Sequence, residues 1–188
     1  MIDLQSIFDH LGLKESPCKI VHTCEHLRFY EMGAYFQSDE QSWIEINPKC
    51  KVRFLGYTLH TVIAHELIHA IRKDFPDSYW EELLAYQVCL YGYQRFLGPI
   101  FSLKSFRSFL AITLCLWWMT PYVMACFIPC LAVYLIRGYL GYRRLNRVKK
   151  RLLDQGFSDS LSFQKLIRLS PQELAVLSQK TPSGVRNF

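Results

Sequence analysis

The chain has 188 residues, with 22 basic against 16 acidic side chains and a formal net charge of +6. That length suits one small globular domain plus a further segment. With no internal repeat and no glycine-rich phosphate loop, repeat architectures and P-loop nucleotide chemistry are excluded. The total charge conceals two unlike halves: residues 1–98 hold 9 basic and 13 acidic side chains, and residues 99–188 hold 13 basic and 3 acidic.

At the N-terminus Asp3, Asp9 and His10 interrupt the first residues, so no cleavable signal is expected. Gly33 to Phe36 and Trp43 to Ile46 are short runs rich in aromatic and β-branched residues, separated by the polar stretch Gln37 to Ser42, and they predict a β-hairpin. Pro48 ends its second strand. Thr61 to Ile71 is apolar except for His65, Glu66 and His69, which predicts a helix buried on all sides. Histidines four residues apart on a helix project from one face, about 40° apart, so both imidazoles reach a single metal ion. A glutamate between them is placed to take a proton from water at that ion. Arg72, Lys73 and Asp74 close the helix, and Pro76 stops it.

Zinc in a hydrolytic site takes three protein ligands, so a third must follow. Ser78 to Glu81 reads as a capping box opening a second helix, which assigns Glu81 a structural task. Glu82, about 100° further round, is the candidate third ligand, with Glu81 as the reserve. Glu82-Leu83-Leu84-Ala85 resembles the Glu-x-x-Ala helix that follows the His-Glu-x-x-His helix in gluzincins, the thermolysin-like clan of zinc peptidases. The resemblance covers roughly Ile44 to Ala85. It implies that His65, His69 and Glu82 bind Zn2+, that Glu66 is the catalytic base, and that the strand before the metal helix pairs with extended peptide substrate. His65 to Ala70 also resembles the motif of the mitochondrial inner-membrane metalloproteases that process an ATP synthase subunit. Tyr86 stands where an Asp often follows the Ala. Tyr86, Tyr79 and His60 are candidates for the oxyanion donor. His60, about 140° from His65 on a continuous helix, is placed for capping or surface exposure rather than ligation, and no role is assigned to His10, His22 or His26.

Phe109 to Ile136 is 28 residues without a charge. Such a run predicts a membrane segment. Pro121 and Pro129 favour a hairpin, Leu103 to Thr120 and Tyr122 to Gly141, over one kinked span, with Trp117, Trp118 and Tyr122 at the far interface and Lys104, Arg107 and Arg137 at the near one. Arg143, Arg144, Arg147, Lys149, Lys150 and Arg151 then follow the positive-inside pattern and face anionic lipid rather than nucleic acid. An integral membrane protein with its metal domain on the cytoplasmic side is therefore expected, with the seven cysteines as free thiols. Ser170-Pro171-Gln172-Glu173 is a capping box opening a short helix, and Thr181 to Phe188 is expected to be disordered.

The expected fold is α+β. A minimal zincin-like metallopeptidase domain, residues 1–98, joins a short β-hairpin to two metal-binding helices. A transmembrane helical hairpin follows in 99–141, and then a basic juxtamembrane region with a short helical tail in 142–188. The expected activity is zinc-dependent hydrolysis of a protein or peptide substrate. The alternative is a membrane-anchored metal-binding scaffold without catalysis.

Overall fold

The structure is a computed structural model, described here for residues 3–28, 31–39, 41–48, 57–75, 79–102, 104–117 and 123–179. It is mostly helical, with one small sheet. In chain order the elements are α1 (Leu4–Leu11), β1 (Lys19–Val21), β2 (Gly33–Gln37), β3 (Ser42–Ile46), α2 (Leu59–Ile71), α3 (Tyr79–Ala85), α4 (Gly92–Ser102), α5 (Lys104–Trp117), α6 (Val123–Asp154), α7 (Asp159–Leu166) and α8 (Pro171–Gln179). A 3-10 turn, Tyr86–Val88, links α3 to α4.

The two runs around residues 33–46 form β2 and β3, paired antiparallel with Tyr35 opposite Ile44. The sheet has a third strand, β1, parallel to β3, so the order is β1-β3-β2 and β2 is left at an edge. Asn47 N donates to Met32 O and Ser38 N donates to Gln41 O, so Met32, Ala34, Phe36 and Ser38 direct their backbone groups to β3. By alternation, Gly33, Tyr35 and Gln37 direct theirs to the free edge. Helix α2 lies against this strand: a Cβ on Gly33 would come 2.8 Å from Val62 Cγ1, so glycine allows the close approach.

Thr58 and Thr61 start α2 reciprocally, Thr58 N donating to Thr61 Oγ1 at 3.0 Å and Thr61 N to Thr58 Oγ1 at 3.2 Å. Val62, Ile63, Leu67 and Ile68 of α2 then join Ile44 and Ile46 of β3, Leu83 and Leu84 of α3, Leu145 and Val148 of α6, and Leu166 of α7 in one core. The short helix expected after Ser170 is α8, whose Leu174 packs into that core, while the second half of α6 and α7, which were not expected as helices, pack there as well. The Ser170 capping box forms, with Ser170 N donating to Glu173 Oε2 at 2.8 Å and Glu173 N to Ser170 Oγ at 3.2 Å. The Ser78 cap and the Thr181 to Phe188 segment lie outside the described residues.

The expected transmembrane hairpin is overturned. Among the described residues no helix is long and apolar enough to cross a membrane. The physical reason lies in how the charge-free run is divided. It splits between α5, which holds Phe109 to Trp117, and α6, which holds Val123 to Ile136. At 1.5 Å per residue these pieces are about 14 Å and about 21 Å long, against a hydrocarbon core of about 30 Å. The two helices do pack on each other, with the Phe109 ring stacked on Phe127 at 5.5 Å. The integral membrane placement and the cytoplasmic sidedness derived from those spans fall with them. The interface positions expected for Trp117, Trp118 and Tyr122 lie outside the described side chains.

The basic run has another explanation. Gly138, Gly141, Leu145, Val148 and Leu152 are buried at three- and four-residue spacing along α6, while Arg143, Arg144, Arg147 and Lys150 are exposed. This is an amphipathic helix whose cationic face meets solvent. Its inner stripe approaches α4 closely, for a Cβ on Gly138 would come 2.5 Å from Ile100 Cδ1.

Candidate metal centre

Helix α2 carries His65 and His69 one turn apart, and α3 crosses beneath them to deliver Glu82. One ligand atom from each of the three lies within 4.8 Å of the others. His65 Nε2 is 3.2 Å from His69 Nε2. Glu82 Oε2 is 3.8 Å from His65 Nε2, and its Oε1 is 3.9 Å from His69 Nε2. Tetrahedral zinc with Zn–N of about 2.05 Å needs ligand nitrogens about 3.3 Å apart. The histidine pair meets that separation, and Glu82 approaches the two histidines with different carboxylate oxygens, each about half an ångström beyond it. Donor set and spacing therefore fit a zinc ion.

Helix α3 also orients both rings. Glu81 Oε1 lies 2.8 Å from His69 Nδ1, and His65 is hydrogen-bonded to the Ala85 backbone. Glu81 and Glu82, neighbours on one helix, thus diverge to opposite sides of the His69 ring. The third partner, Ala85, is fully buried.

Burial sets the electrostatics. The His65 imidazole is held well below its ordinary pKa by burial and then by the nearby His69 charge. Burial also works against protonation of His69, but the Glu81 hydrogen bond and the charges of Glu66 and Glu82 outweigh it and raise its pKa to about 9. Glu66 is pushed up to about 7, chiefly by burial; His69 opposes the rise, and Glu82 adds to it. Its Oε2 accepts from Tyr35 N at 2.9 Å, which ties the carboxylate to the free edge of β2.

These groups line a cleft of about 820 Å³ bounded by β2, α2, α3 and α4. Tyr86, in the 3-10 turn, sets its ring 4.5 Å from the His65 ring at 75°. It is packed so tightly on α4 that a Cβ on Gly98 would come 2.1 Å from Tyr86 Cδ1. Burial, followed by the Glu82 charge, raises the Tyr86 phenol and keeps it protonated.

The structure brings together His65, His69, Glu82 and Glu66, with Glu81 and Tyr86 beside them. His60 lies elsewhere, lining a separate cavity of about 500 Å³ with His10 and Lys149. The Tyr79 side chain is outside the described residues. His26 bonds to Glu45, a buried carboxylate on β3 that also accepts from Trp43 Nε1 at 3.1 Å. Sequence reasoning missed two participants: the Tyr35 amide, because backbone donors carry no residue signature, and Glu81 as a partner of His69. No protein-family model, curated protein or solved structure matches the chain, so a functional reading rests on its own residues.

Proposed function

We propose that the chain is a zinc-dependent metallopeptidase that cleaves extended peptides. The observation that carries this reading is the convergence of two imidazoles and a carboxylate at zinc-ligand spacing beside a buried fourth group, Glu66, in an open cleft. Structural zinc sites are closed by four ligands and rich in cysteine, whereas three ligands leave a position for water or substrate. When bound, the ion would polarise the scissile carbonyl and bring the pKa of its water near neutrality.

The chain supplies the remaining steps. Glu66 accepts the proton from the attacking water and returns it to the leaving amine; a carboxyl already raised to about 7 is matched to both tasks near neutral pH. Tyr86, a neutral phenol beside His65, donates to the developing oxyanion. The outward-facing groups of Gly33 and Gln37 and the Tyr35 carbonyl at the edge of β2 hold the peptide as an added strand, while the Tyr35 amide stays on Glu66.

Glu66→Gln tests the reading. Hydrolysis of unstructured protein by the zinc-loaded full chain should fall by about 10²–10⁴-fold, the usual contribution of a general base, with zinc content unchanged. Zinc-loaded wild type that cleaves nothing across a broad peptide library would leave the non-catalytic scaffold instead.

A further inference from the structure

We infer that Glu81 is a positioning residue for the zinc site: its carboxylate holds the His69 ring so that Nε2 faces the ion, while its neighbour Glu82 binds. The inference rests on the zinc-site reading above and concerns a residue that sequence reasoning assigned to a helix cap or to reserve ligation.

Two facts of geometry carry it. Glu81 Oε1 sits 2.8 Å from Nδ1 of His69, and the other ring nitrogen, Nε2, is the one 3.2 Å from His65 Nε2 and 3.9 Å from Glu82 Oε1. An ionised carboxylate has no proton to give, so Nδ1 donates to it and Nε2 is the nitrogen from which the metal would displace the second proton. Glu81 cannot ligate while it makes this bond, because it lies on the opposite side of the ring from the other two ligands. Helical phase gives the division of labour, since consecutive residues point about 100° apart.

Arg72, the fully buried C-cap of α2, has its pKa lowered by burial, against which the Glu81 charge acts. Its Nη1 donates to Ile167 O and Leu169 O, both at 2.8 Å, and its guanidinium lies 4.7 Å over the Phe75 ring. Arg72 thus ties the end of α2 to the α7–α8 junction and acts on Glu81 through charge alone, while Glu81 itself makes the contact with His69. Orienting partners of this kind tune metal affinity by fixing the ring and raising its basicity.

The test uses the full chain as wild type, Glu81→Gln, Glu81→Asp and Glu82→Gln. Zinc affinity is read by competition with a chromophoric chelator, and coordination by the visible absorption of the cobalt(II)-substituted protein. Glu81→Gln should weaken zinc about 10–100-fold and leave the cobalt bands in place, because the ligand set is intact. Glu81→Asp, one methylene too short to reach Nδ1, should weaken it comparably and serves if the first variant does not fold. Glu82→Gln should move the cobalt bands. Wild-type affinity in both Glu81 variants would overturn the inference and leave the zinc site standing. Cobalt bands moved by Glu81→Gln as they are by Glu82→Gln would make Glu81 a ligand and also overturn it. Wild type that binds neither metal would overturn the zinc site and the inference together.

Discussion

Helix α2 sets two histidines and a glutamate among apolar neighbours, whereas the first half of α6 sets apolar side chains against solvent. In α2, Glu66 is only 9% exposed and is followed directly by Leu67 and Ile68 of the core. In α6, Ile128, Val133 and Ile136 are 61%, 64% and 57% exposed. Each departs from the usual partition of residues, yet they are not equivalent. The buried polar groups of α2 are partners for one another and for α3, so each is held by the rest, and loss of one strands the others at the cost of an unpaired buried charge. The exposed apolar groups of α6 have few neighbours to lose. Concentrated chemistry therefore accompanies dense mutual contact.

The comparison can be broken most severely at His69. Removing one of three ligands from a site with an apparent zinc-binding free energy of about 12 kcal/mol should cost roughly a third of it, on the order of a thousandfold in affinity. Competition titration of His69→Ala against wild type measures this, and unchanged affinity would remove α2 from any metal site.

Leu67→Ala probes the packing around the motif. Leu67 is fully buried on the face of α2 opposite His65 and His69, so its truncation should cost about 2–5 kcal/mol in urea unfolding of the metal-free protein. A cost below about 1 kcal/mol would mean that the core around α2 is loose.

Proton linkage sharpens the same contrast. In the metal-free protein His69 keeps its second proton up to about pH 9, and zinc must displace that proton. Apparent zinc affinity should thus rise about tenfold per pH unit between about 6.5 and 9 and level off above. The stability contributed by that raised pKa has the opposite sense: it is fully present below about 6.5 and is lost as pH rises through about 9. Zinc titrations across this range that show no pH dependence would contradict the assignment of the proton.

Smaller effects follow. Thr58→Ala removes the reciprocal cap of α2 and should cost about 1 kcal/mol. Ile128→Ala, at the exposed end of α6, should change stability by no more than about 0.5 kcal/mol, as for other surface sites. A core-sized loss there would show that this face is covered.

What could be read from the sequence, and what could not, follows the same divide. His65 and His69 were legible because their relation is local, set by one helical turn, and Glu82 because helical phase separates it from Glu81. The true partner of Glu81 was not legible: His69 is twelve residues away, across a helix–helix packing that no local pattern encodes. Strand β1 escaped because three residues paired in parallel to β3 carry too little periodicity. The apolar run misled for a different reason. Dividing it into two limbs requires each limb to be apolar over about 30 Å, and the charge-free parts of α5 and α6 are each shorter than that. The basic cluster gains a structural reading once its charges are phased along the helix rather than summed. The spacing of Gly138, Gly141, Leu145, Val148 and Leu152 already described the buried stripe of an amphipathic helix.

The most direct test of the central claim is the zinc content of the purified full chain, wild type beside His65→Ala and Glu82→Ala. About one zinc per wild-type chain, lost in both variants, is expected. Folded wild type without stoichiometric metal, or variants that retain it, would contradict the account.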